Sequence, residues 1–120
     1  MSKDLNILHL SLKKEWFDLM VTGKKTIEYR EPTDWIIKRL EKDYDVIKFT
    51  NGYGKTRPYF ICEFKGFEIS TKSEVVVFDK SKVNVTEGIY KIYLGKILIN
   101  IENTLQKCFF SRFSLFIFLK

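Results

Sequence analysis

The sequence predicts an α+β fold that is mainly β and contains two short helices. Eleven Phe and six Tyr residues stand beside only two Pro residues, a composition that favours strands. Several short segments alternate apolar and polar side chains, which is the pattern of a strand with one buried face. Because 45% of the 120 residues are hydrophobic, the chain is long and apolar enough for one domain with its own core.

The first predicted elements are a short apolar strand at residues 7–10 and an amphipathic helix from residue 12 to about residue 22. Ser11 is positioned to cap this helix with its hydroxyl group, and Gly23 can adopt the left-handed conformation that ends it. Apolar residues recur at helical spacing along one side, which predicts the face that packs on the core. This stripe comprises Leu12, Trp16, Leu19 and Met20.

The segment that follows the helix is dense in charge and ends at a proline. Its alternation predicts a strand whose apolar residues, Ile27 and Tyr29, face the core. Glu28 and Arg30 would then stand side by side on the opposite face. In a regular strand the side chain of Lys25 would point to the face opposite Glu28 and Arg30. It joins them only if the chain is still bending there. The pattern fits both a solvated strand face with one salt bridge and a binding site.

The remaining elements are predicted from alternation and turn signals. A second helix is expected at residues 35–41, capped by Thr33 or Asp34. Residues 71–86 are expected to form a connector with one short strand. The other strands are predicted at residues 44–50, 59–69 and 89–98.

The loop after the third strand is a candidate binding element. It opens with Asn-Gly, a strong turn signal, and carries Tyr53, Lys55 and Arg57 at its tip. An aromatic side chain between basic ones suits an unstacked base and its phosphate. An ordinary flexible connector fits the same residues. Trp35, at the start of the second helix, is a further candidate for stacking at the rim of a cleft.

Other residues that often carry chemistry are assigned to the core. His9 lies in an apolar run, and Cys62 alternates with aromatic residues. The pair Trp16 and Phe17 fits the buried side of a helix better than a stacking platform. With Cys62 and Cys108 as the only cysteines and one histidine, neither a disulfide framework nor a zinc site is expected. We therefore expect no metal and no cofactor.

The net charge of +6 favours an anionic partner such as a nucleic acid. The first residues lack the basic and then apolar run of a signal peptide, so a cytoplasmic protein is expected. Residues 1–99 are assigned to the folded domain, and residues 100–120 to an apolar extension. The extension falls short of the ~20 apolar residues that span a bilayer, so no membrane span is expected. It could add a strand, dock on the domain or mediate self-association.

The charged segment resembles a known family signature. Gly23, Lys25, Glu28 and Arg30 match the Gly-x-Lys-x-x-Glu-x-Arg pattern of the ASCH family, which follows a short amphipathic helix. The exit at residues 30–32, the turn at 51–54 and the segment at 93–98 are also typical of small members of this family. The resemblance covers residues 7–98 and implies a PUA-like β-barrel.

The resemblance implies RNA binding through the cleft that holds the signature residues. Lys25 and Arg30 would then meet a phosphate or a base edge, with Glu28 orienting them or accepting a hydrogen bond. Tyr53 and Trp35 would stack bases. Lys55 and Arg57 would add attraction that weakens with salt.

Two other function classes remain open. Some ASCH-like proteins are amidohydrolases of acylated cytidine, and others are described as ribonucleases. The deacylating members have a nucleophilic Thr at the position of Glu28, so this chain would instead use Glu28 as a general base and Lys25 to stabilise the oxyanion. The third class is a non-catalytic interaction protein that binds its partner through residues 100–120.

Overall fold

The computed structural model describes residues 4–54 and 56–101, and strands dominate these two segments. The predicted class, mainly β with two short helices, is confirmed. The elements in chain order are β1 (Ile7–Leu12), α1 (Lys14–Val21), β2 (Ile27–Arg30), α2 (Asp34–Leu40), β3 (Val46–Asn51), β4 (Tyr59–Ile69), β5 (Glu74–Phe78), β6 (Ser81–Val85) and β7 (Tyr90–Ile101).

Five strands form one curled sheet in the order β1-β3-β4-β7-β2. The β1–β3 pair is parallel, and the other neighbours are antiparallel. Among the described strands, β1 and β2 are the two edges, so these strands form a half-barrel that their backbone hydrogen bonds leave open on one side. Of the β-barrel that the family resemblance implies, the described strands show this half-barrel. The opening between β1 and β2 is called the seam below.

The core fills the concave side of the sheet. Leu8 and Leu10 of β1 lie beside Ile47 and Phe49 of β3, and all four are buried. The two helices cover this surface with their own apolar residues, which are Phe17 and Met20 of α1 and Ile36 and Leu40 of α2. Aromatic rings link the layers: the ring centroid of Phe60 lies 5.3 Å from that of Phe17 and 5.2 Å from that of Phe49.

The start of α1 differs from the prediction. Ser11 lies within β1, because the parallel pairing with β3 continues as far as Leu12. The helix begins at Lys14, and Lys13 precedes it without a side-chain capping bond. The predicted end is confirmed: Gly23 has φ +82°, and its N–H donates to the carbonyl of Met20 at 3.0 Å.

The second helix and the long fourth strand follow the prediction. Thr33 caps α2, with its hydroxyl oxygen accepting from the Ile36 N–H at 3.3 Å. β4 occupies the predicted residues 59–69. Its register with β7 shifts near Gly66, which has φ +92°.

Residues 71–86 were expected to form a connector with one strand, and this expectation is wrong. β5 and β6 pair as an antiparallel hairpin that forms a separate two-stranded sheet. The hairpin packs on α1, where the rings of Phe78 and Trp16 lie 6.4 Å apart and the Ser81 hydroxyl donates to Glu15 at 2.9 Å. It thereby adds a wall next to the seam.

The last described strand, β7, continues through Asn100 and Ile101, two residues past the predicted end of the domain. The rest of the predicted extension lies outside the described residues. In the two described segments, no helix has the length and apolar character needed to cross a bilayer.

Candidate functional site

The turn after α1 brings Lys25 into the interior. The backbone N–H groups of Lys24 and Lys25 both donate to the carbonyl of Leu19, at 3.0 and 3.1 Å. This tight reversal at Gly23 changes the direction of the chain before β2 begins, as the sequence required for Lys25 to join the charged group. The Lys25 side chain is almost fully buried, and its Nζ donates to the carbonyl of Ile27 at 2.7 Å.

Glu28 is the centre of the charged group. One carboxylate oxygen accepts from Lys25 Nζ at 2.9 Å, and the other accepts from Arg30 Nε at 2.8 Å. Glu28 is itself buried, and each of its oxygens has a cationic hydrogen-bond partner, as buried polar groups generally do. We call Lys25, Glu28 and Arg30 the ion triad.

The expected orientation of β2 is wrong. Glu28 is its buried residue, and Ile27 and Tyr29 are only half-buried. A carboxylate can occupy this interior position because the two cations compensate its charge and fill its hydrogen bonds. The ion triad is therefore not a solvated strand face.

Arg30 joins the two edges of the sheet. While its Nε contacts Glu28, its Nη2 donates to the carbonyl of Ser11 at 2.8 Å. Glu28 and Arg30 belong to β2, and Ser11 belongs to β1, so this guanidinium group crosses the seam. A planar group with several donors can make both contacts at once.

Burial sets the electrostatics of the triad. Desolvation lowers the pKa of Lys25, and the attraction of Glu28 opposes that effect only in part. The Lys25 ammonium group lies 5.7 Å from the ring centroid of Trp16 and 5.4 Å from that of Tyr29. Two aromatic faces thus stabilise the same buried cation. Burial also raises the pKa of Tyr29.

Among the cavities that the described residues form, two have Glu28 in their walls. The larger one, called the cleft, has a volume of about 570 Å³ and contains four cationic side chains and one carboxylate. Its wall consists of Ser11, Leu12, Lys13, Lys14, Trp16, Glu28, Arg30, Asn51, Gly52, Tyr53 and Arg57. A smaller inner pocket of about 310 Å³ shares Trp16 and Glu28 with the cleft. It is completed by Lys25, Tyr29, Lys82, Val83 and Asn84.

The structure brings most of the predicted site residues together. Tyr53 and Arg57 line the cleft with the triad, and Tyr53 is 88% exposed. Arg57 is held over Gly52, where its Nε donates to the carbonyl of Asn51 at 2.8 Å. Lys55 lies outside the described residues. Trp35 does not line the cleft; it is 47% exposed and stacks with the guanidinium of Arg39, 3.7 Å from the ring centroid.

Several residues of the site were not predicted. Trp16 was assigned to the core, but it is only partly buried and lines both cavities. Its position two residues after the Lys13-Lys14 pair is the sequence signal that could have suggested this role. Lys82 and Asn84 come from β6, a strand that the sequence pattern does not distinguish from β5.

The assignment of Cys62 to the core is confirmed, and that of His9 is wrong. Cys62 is buried, and burial raises its thiol pKa to about 12, which does not favour a nucleophile. It lines a third cavity of about 330 Å³ on the other side of Lys25. His9 is exposed on the outward face of β1.

Within residues 4–54 and 56–101, no cluster of His, Cys, Asp and Glu has a geometry that could hold a metal ion. No protein-family model matches the chain, and neither a curated protein nor a solved structure matches it significantly. Any assignment of function therefore depends on the geometry of the site and on the signature residues.

Proposed function

We propose that this chain is a PUA-like domain of the ASCH type that binds single-stranded RNA or a nucleotide in the cleft. The observation that carries the proposal is the composition of the cleft wall. Four cations and two aromatic residues surround a single carboxylate, and that carboxylate is already paired. Such a surface attracts phosphates and offers ring faces to bases.

The residues of the cleft divide into three roles. Lys13 and Arg57 are exposed at the rim and would contact phosphates. Trp16 and Tyr53 would stack on bases. Arg30 lies deeper, where its partly exposed guanidinium would meet a phosphate or a base edge.

Glu28 supports this arrangement without contacting the ligand directly. Because each of its oxygens already accepts from a cation, its main contribution is to fix Arg30 and Lys25 in position. The binding surface is thus held in place before the ligand arrives, which reduces the entropy lost on binding.

The test measures binding of fluorescently labelled single-stranded RNA by anisotropy across a salt series. The affinity of the natural chain should fall as salt rises. Arg57→Ala should weaken binding severalfold and reduce the salt slope by about 0.7, the value for one phosphate contact on a single strand. Lys65→Ala is the matched control, because Lys65 is an exposed cation of β4 that does not line the cleft.

Two results would contradict RNA binding in the cleft. One is the absence of any salt-dependent binding by the natural chain. The other is equal weakening by Arg57→Ala and Lys65→Ala, which would indicate attraction to net charge alone.

Hydrolysis of an acylated or otherwise modified cytidine, or of RNA, is the second candidate function. The lowered pKa of Lys25 favours it, because the neutral amine, the form that can accept a proton or attack as a nucleophile, is then present at a lower pH. Both Glu28 oxygens are ion-paired, so Glu28 would have to release one cation before acting as a general base. Product analysis after incubation with acylated cytidine and short RNA tests this candidate. An interaction role for residues 100–120 concerns a segment of which the structure describes only Asn100 and Ile101.

A further inference from the structure

A second basic and aromatic surface lies at the opposite end of β1 from the cleft. It surrounds a cavity of about 610 Å³, and three of its six lining residues are cations against one carboxylate. The lining residues are Ile7, Lys38, Arg39, Glu41, Lys42 and Tyr44. Trp35 lies beside this cavity, because the guanidinium of Arg39 stacks on its ring. We call this surface, including Trp35, the α2 patch.

The α2 patch has the same chemistry as the cleft. Trp35 remains nearly half exposed although its ring is already stacked on one side by Arg39. An exposed indole beside a guanidinium offers a ring face and a cation to the same ligand. Lys38 and Lys42 are exposed and would extend the attraction to neighbouring phosphates.

β1 connects the two surfaces. Its first residue, Ile7, lines the α2 patch, and Ser11 lines the cleft. The alternation of β1 places Ile7, His9 and Ser11 on its outward face, and Lys48 lies beside His9 in the sheet. Residues 5–14 contain no acidic side chain. No carboxylate of β1 itself therefore repels an anion between the two surfaces.

The separation of the surfaces indicates the size of the ligand. Four residues of strand, from Ile7 to Ser11, span roughly 13 Å. At about 3.4 Å per phosphate along a stacked strand, this distance corresponds to about four nucleotides. A mononucleotide in the cleft cannot reach the α2 patch.

We propose that a single-stranded RNA occupies the cleft and the α2 patch together, following the outward face of β1. The proposal rests on the proposed function and specifies its ligand as a strand of several nucleotides. It also gives Trp35 a binding role outside the cleft.

The test compares a uridine dinucleotide with a ten-nucleotide oligouridylate, for the natural chain and for the Lys38→Ala/Lys42→Ala variant. The dinucleotide fits the cleft alone, so its affinity, followed by NMR titration, should be unchanged in the variant. The affinity of the longer RNA, measured by anisotropy, should fall roughly tenfold at low salt. Its salt slope should fall by about 1.4, the sum for two phosphate contacts.

A Lys65→Ala/Lys72→Ala variant is the control, because it removes two exposed lysines that line neither the cleft nor the α2 patch. It should retain nearly natural affinity for the longer RNA. Two results would contradict the extended site and leave the cleft proposal standing. In one, the natural chain binds the dinucleotide but binds the longer RNA no more tightly. In the other, the two double variants bind the longer RNA equally well. If the natural chain binds neither ligand, the proposed function itself fails.

Discussion

Lys24 and Lys25 are neighbours in the sequence and form ion pairs of equal length in opposite environments. Lys24 lies 2.9 Å from Asp79, with 60% and 63% of the two side chains exposed. Lys25 lies 2.9 Å from Glu28, with 2% and 8% exposed. The distance between the charged atoms is therefore no guide to the energy of either pair. Solvation distinguishes them, because water screens the first pair and is excluded from the second.

The comparison has a direct energetic consequence. An exposed pair typically contributes ~0–1 kcal/mol to stability, because its charges are almost as well solvated when apart. A buried pair need not contribute more when intact, but the removal of one partner leaves an uncompensated charge inside the protein. The two pairs should thus differ most when a carboxylate is replaced by an amide.

The largest expected effect follows replacement of the buried carboxylate. Glu28→Gln should lower the free energy of unfolding by on the order of 3 kcal/mol, because Lys25 and Arg30 lose their common counter-charge. Urea denaturation followed by circular dichroism measures this change.

Asp79→Asn is the matched control from the exposed pair. Asparagine tolerates the φ of +50° that Asp79 adopts, so the backbone should be undisturbed. The expected loss is below ~1 kcal/mol. Equal losses in the two variants would show that burial does not distinguish the pairs.

A smaller effect is expected at the seam. Arg30→Lys keeps the charge but removes the simultaneous contacts to Glu28 and to the Ser11 carbonyl. The loss in unfolding free energy should be about 1 kcal/mol, because the side chain is partly exposed and water can replace one contact. Amide hydrogen exchange should accelerate in β1 and β2 more than in β4. Uniform acceleration across all strands would contradict a seam-specific role.

The smallest effect is a change in the pH dependence of stability. Burial lowers the pKa of Lys25 from the ordinary value of 10.5, so the unfolded chain holds that proton more tightly than the folded one. Between the folded pKa and 10.5, the unfolded state binds more protons, and the free energy of unfolding rises with pH. Below this window Lys25 is charged in both states, and above it Lys25 is neutral in both.

Lys25→Met removes this contribution. The stability of the natural chain relative to that variant should therefore increase as pH rises toward 10.5, in denaturation curves recorded at several pH values. Lys24→Met controls for the loss of a lysine. Parallel curves for the natural chain and Lys25→Met would contradict the lowered pKa.

Much of the fold was predictable because local signals agreed with tertiary packing. The Thr33 cap and the long alternation of β4 each specify one structure, whereas of the four residues in the predicted stripe of α1 only Met20 is a buried residue of the helix. Ser11 was misassigned because strand pairing with β3 overrides its local preference for a cap. The β5–β6 hairpin was missed because its turn, at Asp79 and Lys80, contains no glycine and so lacks the usual hairpin signal.

The members of the ion triad were predictable, but their burial was not. Spacing identifies Lys25, Glu28 and Arg30 as a group. The alternation of β2 was interpreted with its apolar residues facing the core, which assumes that its charged residues face water. Only the folded chain reveals that Glu28 is buried and pairs with both cations. The inner pocket depends on Lys82 and Asn84, which approach through tertiary contacts that no local pattern encodes.

Arg30 serves the sheet and the cleft with the same guanidinium group. By thermodynamic linkage, a ligand that binds in the cleft without breaking the hydrogen bond from Arg30 to the Ser11 carbonyl stabilises the contact between β1 and β2 by mass action. A ligand that competes for the group must instead compensate for the separation of β1 from β2. Under the proposed function, ligand affinity and the stability of the β1–β2 contact are therefore linked, and Arg30→Lys should change both.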